Sequence, residues 1–522
     1  MADRRLAGRR AGVLVPLFSI PTARSWGIGE IPDLPVFASW LSASGFSVVQ
    51  LLPVNEMAHG QSSPYSALSA MAIDPIFISV DDVPEFAAVG GVETLNDSQR
   101  ARLAEVRAAA TVQHRAVRAL KIEVLSSVFE QFFDEQWQPG SPRADTLRAY
   151  IEREAWWLDE YALFRALHAG NDQRSWMEWE APLRDREPVA MDGARERLRR
   201  EILYYQWLQW LADAQWTAAR SAAGLVVLGD FPFMVSADSA DVWARQQEFR
   251  VDVSVGVPPD AFSDTGQDWG LPAYRWDVIE ANGYAWLRER AVRCAELFDG
   301  FRVDHLVGFY RTFVREQDGS TAFHPPGEPA QLAQGERLLT LFEEHGGAII
   351  AEDLGTVPDF VRASLNRLGI PGLKVLRWER DWAAEGQPFK DPAAYPRVSV
   401  ALSGTHDTET MAEWWTQADD GERAQVVQLP HLRHAGIRAD EPYSDDVRDG
   451  LLASLFAAGS DLLLVPVQDL FGWRDRINVP ASVSDTNWSW RLPWPADRLS
   501  RVPEAARRAG ELRALVRLTG RE

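Results

Sequence analysis

The sequence predicts a (β/α)8 barrel with a large, mainly helical insertion between its second and third strands. Three observations predict it. Eight short apolar, β-branched runs recur along the chain, stretches with helical spacing separate most of them, and one separation is far longer than the rest. Continuous apolar runs suit strands buried on both faces, as in a parallel sheet. Eight β–α units then point to a closed barrel. An open doubly wound sheet is the alternative for the same pattern.

The runs occupy residues 12–18, 47–54, 225–233, 300–305, 348–354, 373–378, 398–407 and 462–470. The roughly 170 residues between the second and third runs far exceed an ordinary βα connection. Within them Leu203, Trp207, Trp210 and Ala214 fall four, three and four apart, a helical stripe. Residues 101–133 form another helical stretch, broken once, and residues 151–168 a third. Trp156, Trp157, Tyr161 and Phe164 on that third stretch read as core. The expected organisation is therefore a barrel from residues 1–59 and 225–522, and a helical subdomain from residues 60–224 on its rim. An amphipathic segment, 503–518, follows the last strand and its loop.

Composition narrows the function classes. The 522 residues carry 54 Lys plus Arg against 75 Asp plus Glu, a formal net charge of −21. Such a chain repels phosphate backbones, so no nucleic-acid partner is expected. One cysteine, Cys294, excludes an intramolecular disulfide and a cysteine-rich zinc site, and fits a reducing compartment. The N-terminus lacks an apolar signal-peptide core, and no stretch reaches the roughly 18 apolar residues of a membrane helix. The expectation is a cytoplasmic protein with no membrane contact and no obligate protein partner. Its 22 tryptophans are a surplus that suits either a core or the stacking of flat faces on sugar rings.

In a barrel the chemistry sits at the C-terminal strand ends. Four runs end in acids there: Asp230, Asp304, Glu352 with Asp353, and Asp407. Strand side chains alternate, so Arg302 shares a face with Asp304, and Ile350 with Glu352. An arginine beside Asp304 favours its charged form, whereas Glu352, among Ala348, Ile349, Ile350 and Ala351, keeps its proton longer. One carboxyl held charged and one kept protonated are the nucleophile and acid/base of a retaining glycosidase. The bland reading is that these acids balance arginines on the rim. His431 and His434 are three apart with no third ligand nearby, so no metal is expected. There is no G-x-S-x-G, Walker or G-x-G-x-x-G signature, and no organic cofactor is implied.

These motifs resemble the amylomaltases, the 4-α-glucanotransferases of glycoside hydrolase family 77, relatives of the α-amylase clan. The resemblance runs in order from about Gly12 to Pro495. It comprises Ser63-Pro64-Tyr65, a helix around Trp156-Trp157, Asp238 to Trp243, and Pro258-Pro259-Asp260-Ala261-Phe262 with Trp269-Gly270. It continues through Phe301-Arg302-Val303-Asp304-His305, Ala351-Glu352-Asp353-Leu354-Gly355, Gly404-Thr405-His406-Asp407 and Asn487-Trp488-Ser489-Trp490-Arg491. The resemblance implies Asp304 as nucleophile, Glu352 as general acid/base and Asp407 as transition-state stabiliser. It implies Arg302 and His406 as supports of the donor sugar, and Tyr65, Ser63, Trp269 and Asn478 as glucan-holding residues. Maltooligosaccharides and α-1,4-glucans are the implied substrates.

The sequence departs from the family pattern at Leu271, Thr408 and Ala481, at Asp74, and over Arg377-Trp378-Glu379-Arg380-Asp381. The catalytic acids are untouched. Phe262, Trp269 and Tyr274, with residues 473–487 and Tyr65, are the expected cover of the acceptor side. The expected activity is glucan transfer. An amylase-like hydrolase and a non-catalytic glucan-binding protein are the alternatives.

Overall fold

The computed structural model describes residues 8–58, 60–259, 266–480, 482 and 484–522. Twelve strands are present among them: β1 (Arg10–Leu14), β2 (Val48–Gln50), β3 (Val226–Phe231), β4 (Phe249–Val257), β5 (Gln267–Tyr274), β6 (Gly300–Val303), β7 (Thr312–Arg315), β8 (Thr321–His324), β9 (Ala348–Ala351), β10 (Gly372–Val375), β11 (Ser399–Leu402) and β12 (Leu462–Pro466). Eight of these close a barrel in the order β1, β2, β3, β6, β9, β10, β11, β12, with β12 paired back to β1. Every one of those pairings is parallel. Each of the eight apolar runs supplies one barrel strand.

The barrel lumen is a separate small core of Val48, Leu228, Ile350, Leu373, Val375, Val400, Leu402, Leu462 and Leu464. Alternate residues of each strand point into it, the layered filling of such barrels. Gly12 is required in this layer. A Cβ there would lie 2.7 Å from Val48 Cβ and 2.8 Å from Leu464 Cδ2.

The connection between β2 and β3 is helical, with long helices at Asp97–Ala108, His114–Phe132, Pro142–Gly170 and Arg199–Ala223. The break between the first two comes where the Val112 N–H leaves the helix to donate to Ser489 O (2.7 Å). The third starts on a Ser141 cap with Pro142 in its first turn, and buries Trp157, Tyr161 and Phe164. The fourth buries Leu203, Trp207, Leu211 and Trp216, so the expected stripe holds for its first half; Ala214 is exposed. It packs on the helix Asp33–Ala43, and Trp216 Nε1 donates to Leu297 O (2.8 Å) before the chain enters β3. No described helix is long and apolar enough to cross a membrane.

One buried ion pair fastens this segment to the barrel and another braces it internally. Lys121 Nζ lies 2.7 Å from Glu30 Oε1 and also donates to the carbonyls of Ile76 and Ile78. Arg118 donates to Asp74, whose Oδ2 also accepts the Met57 N–H (3.0 Å). The departure at Asp74 thus comes with a full cationic partner, because the second oxygen of a carboxylate accepts where an amide nitrogen cannot.

The segment of Trp269 and Tyr274, expected to cover the acceptor side, lies not in a loop but in a strand. β4 and β5 pair antiparallel and join β7 and β8 in a four-stranded sheet of order β5-β4-β7-β8. Gly270 and Pro272 favour a loop reading, but register shifts in the β4–β5 pairing accommodate them.

Candidate active site

Register places the site. Asp230 on β3 pairs with Arg302 on β6, which pairs with Ile350 on β9, a lumen residue. All three therefore face inward at one level. Asp304 and Glu352 lie two residues further along the same faces. The ladder continues past the strand ends: Asp304 N–H donates to Phe231 O (2.9 Å) and Glu352 N–H to Val303 O (3.1 Å). Both carboxylates are thus carried on tethered backbone. Asp353 points the other way and accepts the Leu373 N–H (2.8 Å).

Arg302 organises the level. Its Nη1 donates to both oxygens of Asp230 (2.8 and 2.7 Å), and its Nη2 lies 2.9 Å from Asp304 Oδ1. Burial pushes the Asp230 carboxyl up, against the pull of the Arg302 charge. Tyr65 donates its hydroxyl to Asp230 Oδ2 (2.9 Å) and stacks its ring on His406 at 5.3 Å and 22°. Ser63 sits in the same turn, its Oγ accepting the Tyr65 N–H (3.4 Å).

Glu352 is held differently. Its Oε2 accepts the His305 N–H (2.8 Å) and its Oε1 the Leu354 N–H (3.0 Å). Burial is the largest influence and pushes its pKa up to about 7; Asp304 adds to the rise while Arg302 and the two N–H groups oppose it. His305 takes a left-handed conformation, φ 46°, uncommon for a non-glycine residue. Its ring meets Trp269 edge to face at 4.8 Å, and burial lowers its pKa to about 4. His305 therefore serves Glu352 through its backbone N–H while its ring packs against Trp269 and Phe233.

Asp407 lies in the turn after β11. Asn478 Nδ2 donates to its Oδ1 (2.6 Å), and His406 Nε2 lies 3.2 Å from its Oδ2. Burial alone would raise its pKa; the His406 charge, the hydrogen bonds from His406 and Asn478, and Arg302 outweigh it and hold it at about 2. Thr408 closes the turn, its Oγ1 accepting the Thr405 N–H (3.0 Å) and donating to Thr405 O (3.1 Å). That departure from the family pattern therefore keeps the turn shut. Arg476, which sequence reasoning missed, donates to Asp407 O (3.0 Å) and Asn478 O (3.3 Å). Glu409 joins it to Arg377.

Asn478→Ala is expected to raise the Asp407 pKa toward its ordinary value and cut kcat/KM by about tenfold, the worth of one charge-assisted hydrogen bond. The acid limb of the pH–rate profile moves to higher pH, because a carboxylate that is easier to protonate is lost sooner as pH falls. A uniform loss with an unmoved limb would show that Asn478 does not act on Asp407.

The predicted residues Arg302, Asp304, Glu352, His406, Asp407, Tyr65 and Asn478 thus form one connected group with Asp230. Trp269 touches it through His305. Tyr274 does not cover the site. It is buried, donates its hydroxyl to Phe233 O (3.0 Å) and packs against Phe249 and Trp286, because in β5 its side chain faces the interior. Phe262 and Ala481 lie outside the described residues. At the rim Trp473 stacks on Phe471 at 4.3 Å, beside Trp490 and Trp494.

A parallel barrel whose mouth gathers one buried high-pKa carboxyl, one arginine-paired carboxylate and one strongly acidic carboxylate defines the class of barrel enzymes that act on glycosidic bonds. Comparison with known proteins narrows the class. The chain belongs to the 4-α-glucanotransferase family, glycoside hydrolase family 77, whose sequence model matches residues 15–497. It is 34% identical to the 4-α-glucanotransferase of Thermus thermophilus, over 96% of this chain and 99% of that one. It is 31% identical to that of Chlamydia pneumoniae, over 92% and 91%. Its fold superimposes on amylomaltase from Streptococcus agalactiae in complex with acarbose with a TM-score of 0.81, at 25% identity, covering 98% and 99% of the two chains.

Proposed function

We propose that this enzyme cleaves α-1,4-glucans and passes the released segment to the 4-hydroxyl of glucose or of another glucan, with retention, through a covalent glycosyl–enzyme. The observation that carries this reading is the contrast between Asp304, paired with Arg302, and Glu352, raised to about 7. Protonated Glu352 gives its proton to the glycosidic oxygen as Asp304 attacks the anomeric carbon. The C–O bond to the leaving glucan breaks and a glycosyl ester forms on Asp304. The Glu352 carboxylate then takes the proton of the acceptor hydroxyl as that oxygen displaces Asp304. Asp407 accepts hydrogen bonds from donor-sugar hydroxyls that strengthen as the oxocarbenium ion develops. Arg302 and His406 position the carboxylates, and Tyr65, Ser63, Trp269 and Asn478 hold glucan. The single described cysteine, Cys294, agrees with a cytoplasmic setting.

Incubation with maltotriose tests the reading. Glucose plus longer oligomers means transfer; glucose and maltose with rising reducing ends means hydrolysis; no change means binding alone. Transfer must outrun water at about 55 M, which a held acceptor achieves through effective molarities of about 10⁵ M or more. Trp269, packed edge-on against His305 beside the nucleophile, supports the dry acceptor side. Trp269→Ala is therefore expected to raise the ratio of new reducing ends to transfer products several-fold while donor cleavage is retained. An unchanged ratio at retained rate would move the acceptor site elsewhere.

A further inference from the structure

Tryptophan is plentiful here and most of it is packed. Trp382 is the exception at 59% exposed; no other described aromatic side chain reaches the exposed class. It sits in a hairpin that follows the C-terminal end of β10. Arg380 and Phe389 pair across the hairpin, and the Asp381 N–H donates to Pro388 O (2.9 Å). Gln425, on the helix Asp420–Val426 that follows β11, donates to Gly386 O. The Arg380 guanidinium lies 4.3 Å over the Phe389 ring and 5.8 Å from the Trp382 ring, and pairs with Glu422 at 3.3 Å. A guanidinium braced in this way holds the hairpin side chains apart and leaves the indole facing solvent.

Beside the hairpin is a cleft of about 170 Å³ between the segments after β10 and β11. Pro388, Phe389 and Leu429 give it apolar walls, and Gln425 and Gln428 supply carboxamides. The Gln425 Oε1 is buried with no hydrogen-bond partner. A flat exposed indole on the hairpin that also supplies the apolar walls Pro388 and Phe389, with the Gln428 carboxamide in the cleft, suits a ring with one apolar face and equatorial hydroxyls. The hairpin is also acidic, with Glu379, Asp381 and Glu385, and the whole chain carries −21. Those charges disfavour nucleic acid and anionic lipid and favour a neutral ligand rich in hydroxyl donors.

We propose that the Trp382 hairpin and its cleft form an auxiliary α-glucan-binding site that retains a long glucan while one of its ends is processed at the catalytic carboxylates. The proposal rests on the α-glucan reading above. Short substrates that fill only the mouth gain nothing from it; polymers do.

The test uses the full-length enzyme with Trp382→Ala and Trp382→Tyr. Native electrophoresis through glycogen-containing gels reads polymer binding, and kinetics on amylose and on maltotriose read its use. Trp382→Ala is expected to lose most of its retardation in glycogen and to raise KM on amylose about fivefold, the loss of one stacked contact. Its maltotriose kinetics stay within about twofold of the parent, and Trp382→Tyr keeps most of the retardation. Unchanged retardation and unchanged amylose kinetics in Trp382→Ala overturn the proposal. Equal damage on both substrates also overturns it, placing Trp382 with the catalytic mouth or the fold. A dimeric parent and a monomeric Trp382→Ala in sedimentation, with equal retardation, assign the surface to a second copy. If the parent itself fails to disproportionate maltotriose, the transfer reading falls, while the gel comparison still decides the site.

Discussion

Asp304→Asn is expected to lower transfer on maltotriose by about 10⁴-fold or more, the scale seen when the nucleophile of a covalent mechanism is removed. Asparagine matches aspartate in shape but forms no glycosyl ester. Its oxygen can still accept from Arg302, and Arg302 keeps both contacts with Asp230, so the charged layer under the site survives. The backbone bond from Asp304 N–H to Phe231 O does not involve the side chain. The circular-dichroism spectrum and glucan binding should therefore match the parent while product formation on chromatography vanishes. Joint loss of activity and folded spectrum would instead make the Asp304–Arg302 pair a structural brace.

The barrel was legible because most of its strand residues are buried and apolar, with few polar interruptions. Val48, Leu228, Leu402 and Leu464 face the lumen while Val49, Val227, Ala401 and Leu463 face the helices. The antiparallel sheet was less legible, although its signal was present. Phe249, Val251, Val253, Val255 and Val257 alternate strictly with other residues, the period of a half-exposed strand. Gly256, Gly270 and Pro272 masked it, because they read as punctuation until paired strands are seen to bulge around them. Tyr274 was misassigned for the same reason: a tyrosine in a loop can reach a ligand, whereas in β5 it is fixed toward Phe249.

The site divided along a similar line. Arg302, Asp304 and Glu352 followed from period-two alternation, which local sequence carries. Asp407 lies in a turn beyond β11, where alternation stops, and only the family resemblance implied its role. Arg476 and Glu409 are 67 residues apart and Arg377 and Glu409 32 apart, so no local pattern reports that clamp. His305 was visible as a letter of a motif, but its left-handed backbone, which aims an N–H at Glu352, belongs to the folded chain alone.

Glu352→Gln is expected to lower transfer from maltooligosaccharides by about 10²–10⁴-fold, the usual worth of a general acid. The loss should be far smaller on α-glucosyl fluoride with a saturating acceptor and an added anionic nucleophile, since fluoride departs without a proton and an anion attacks without a base. The second donor is needed because glutamine is an imperfect copy here. Both Glu352 oxygens accept backbone N–H groups, from His305 and Leu354, and an amide nitrogen must face one of those donors. Some local displacement will follow, and it would slow both donors alike. The pH profile supplies an independent reading. With its pKa at about 7, Glu352 holds its proton below that value and loses it above. The parent should therefore show kcat/KM on maltotriose falling as pH rises through about 7. That alkaline limb should be absent for the glutamine variant, whose amide does not titrate, and for the parent acting on the fluoride. Equal loss on both donors, or an alkaline limb that persists in the variant, would assign the proton to another group. Burial lowers the His406 pKa and the Asp407 carboxylate more than offsets it, so an alkaline limb that persisted would point to His406.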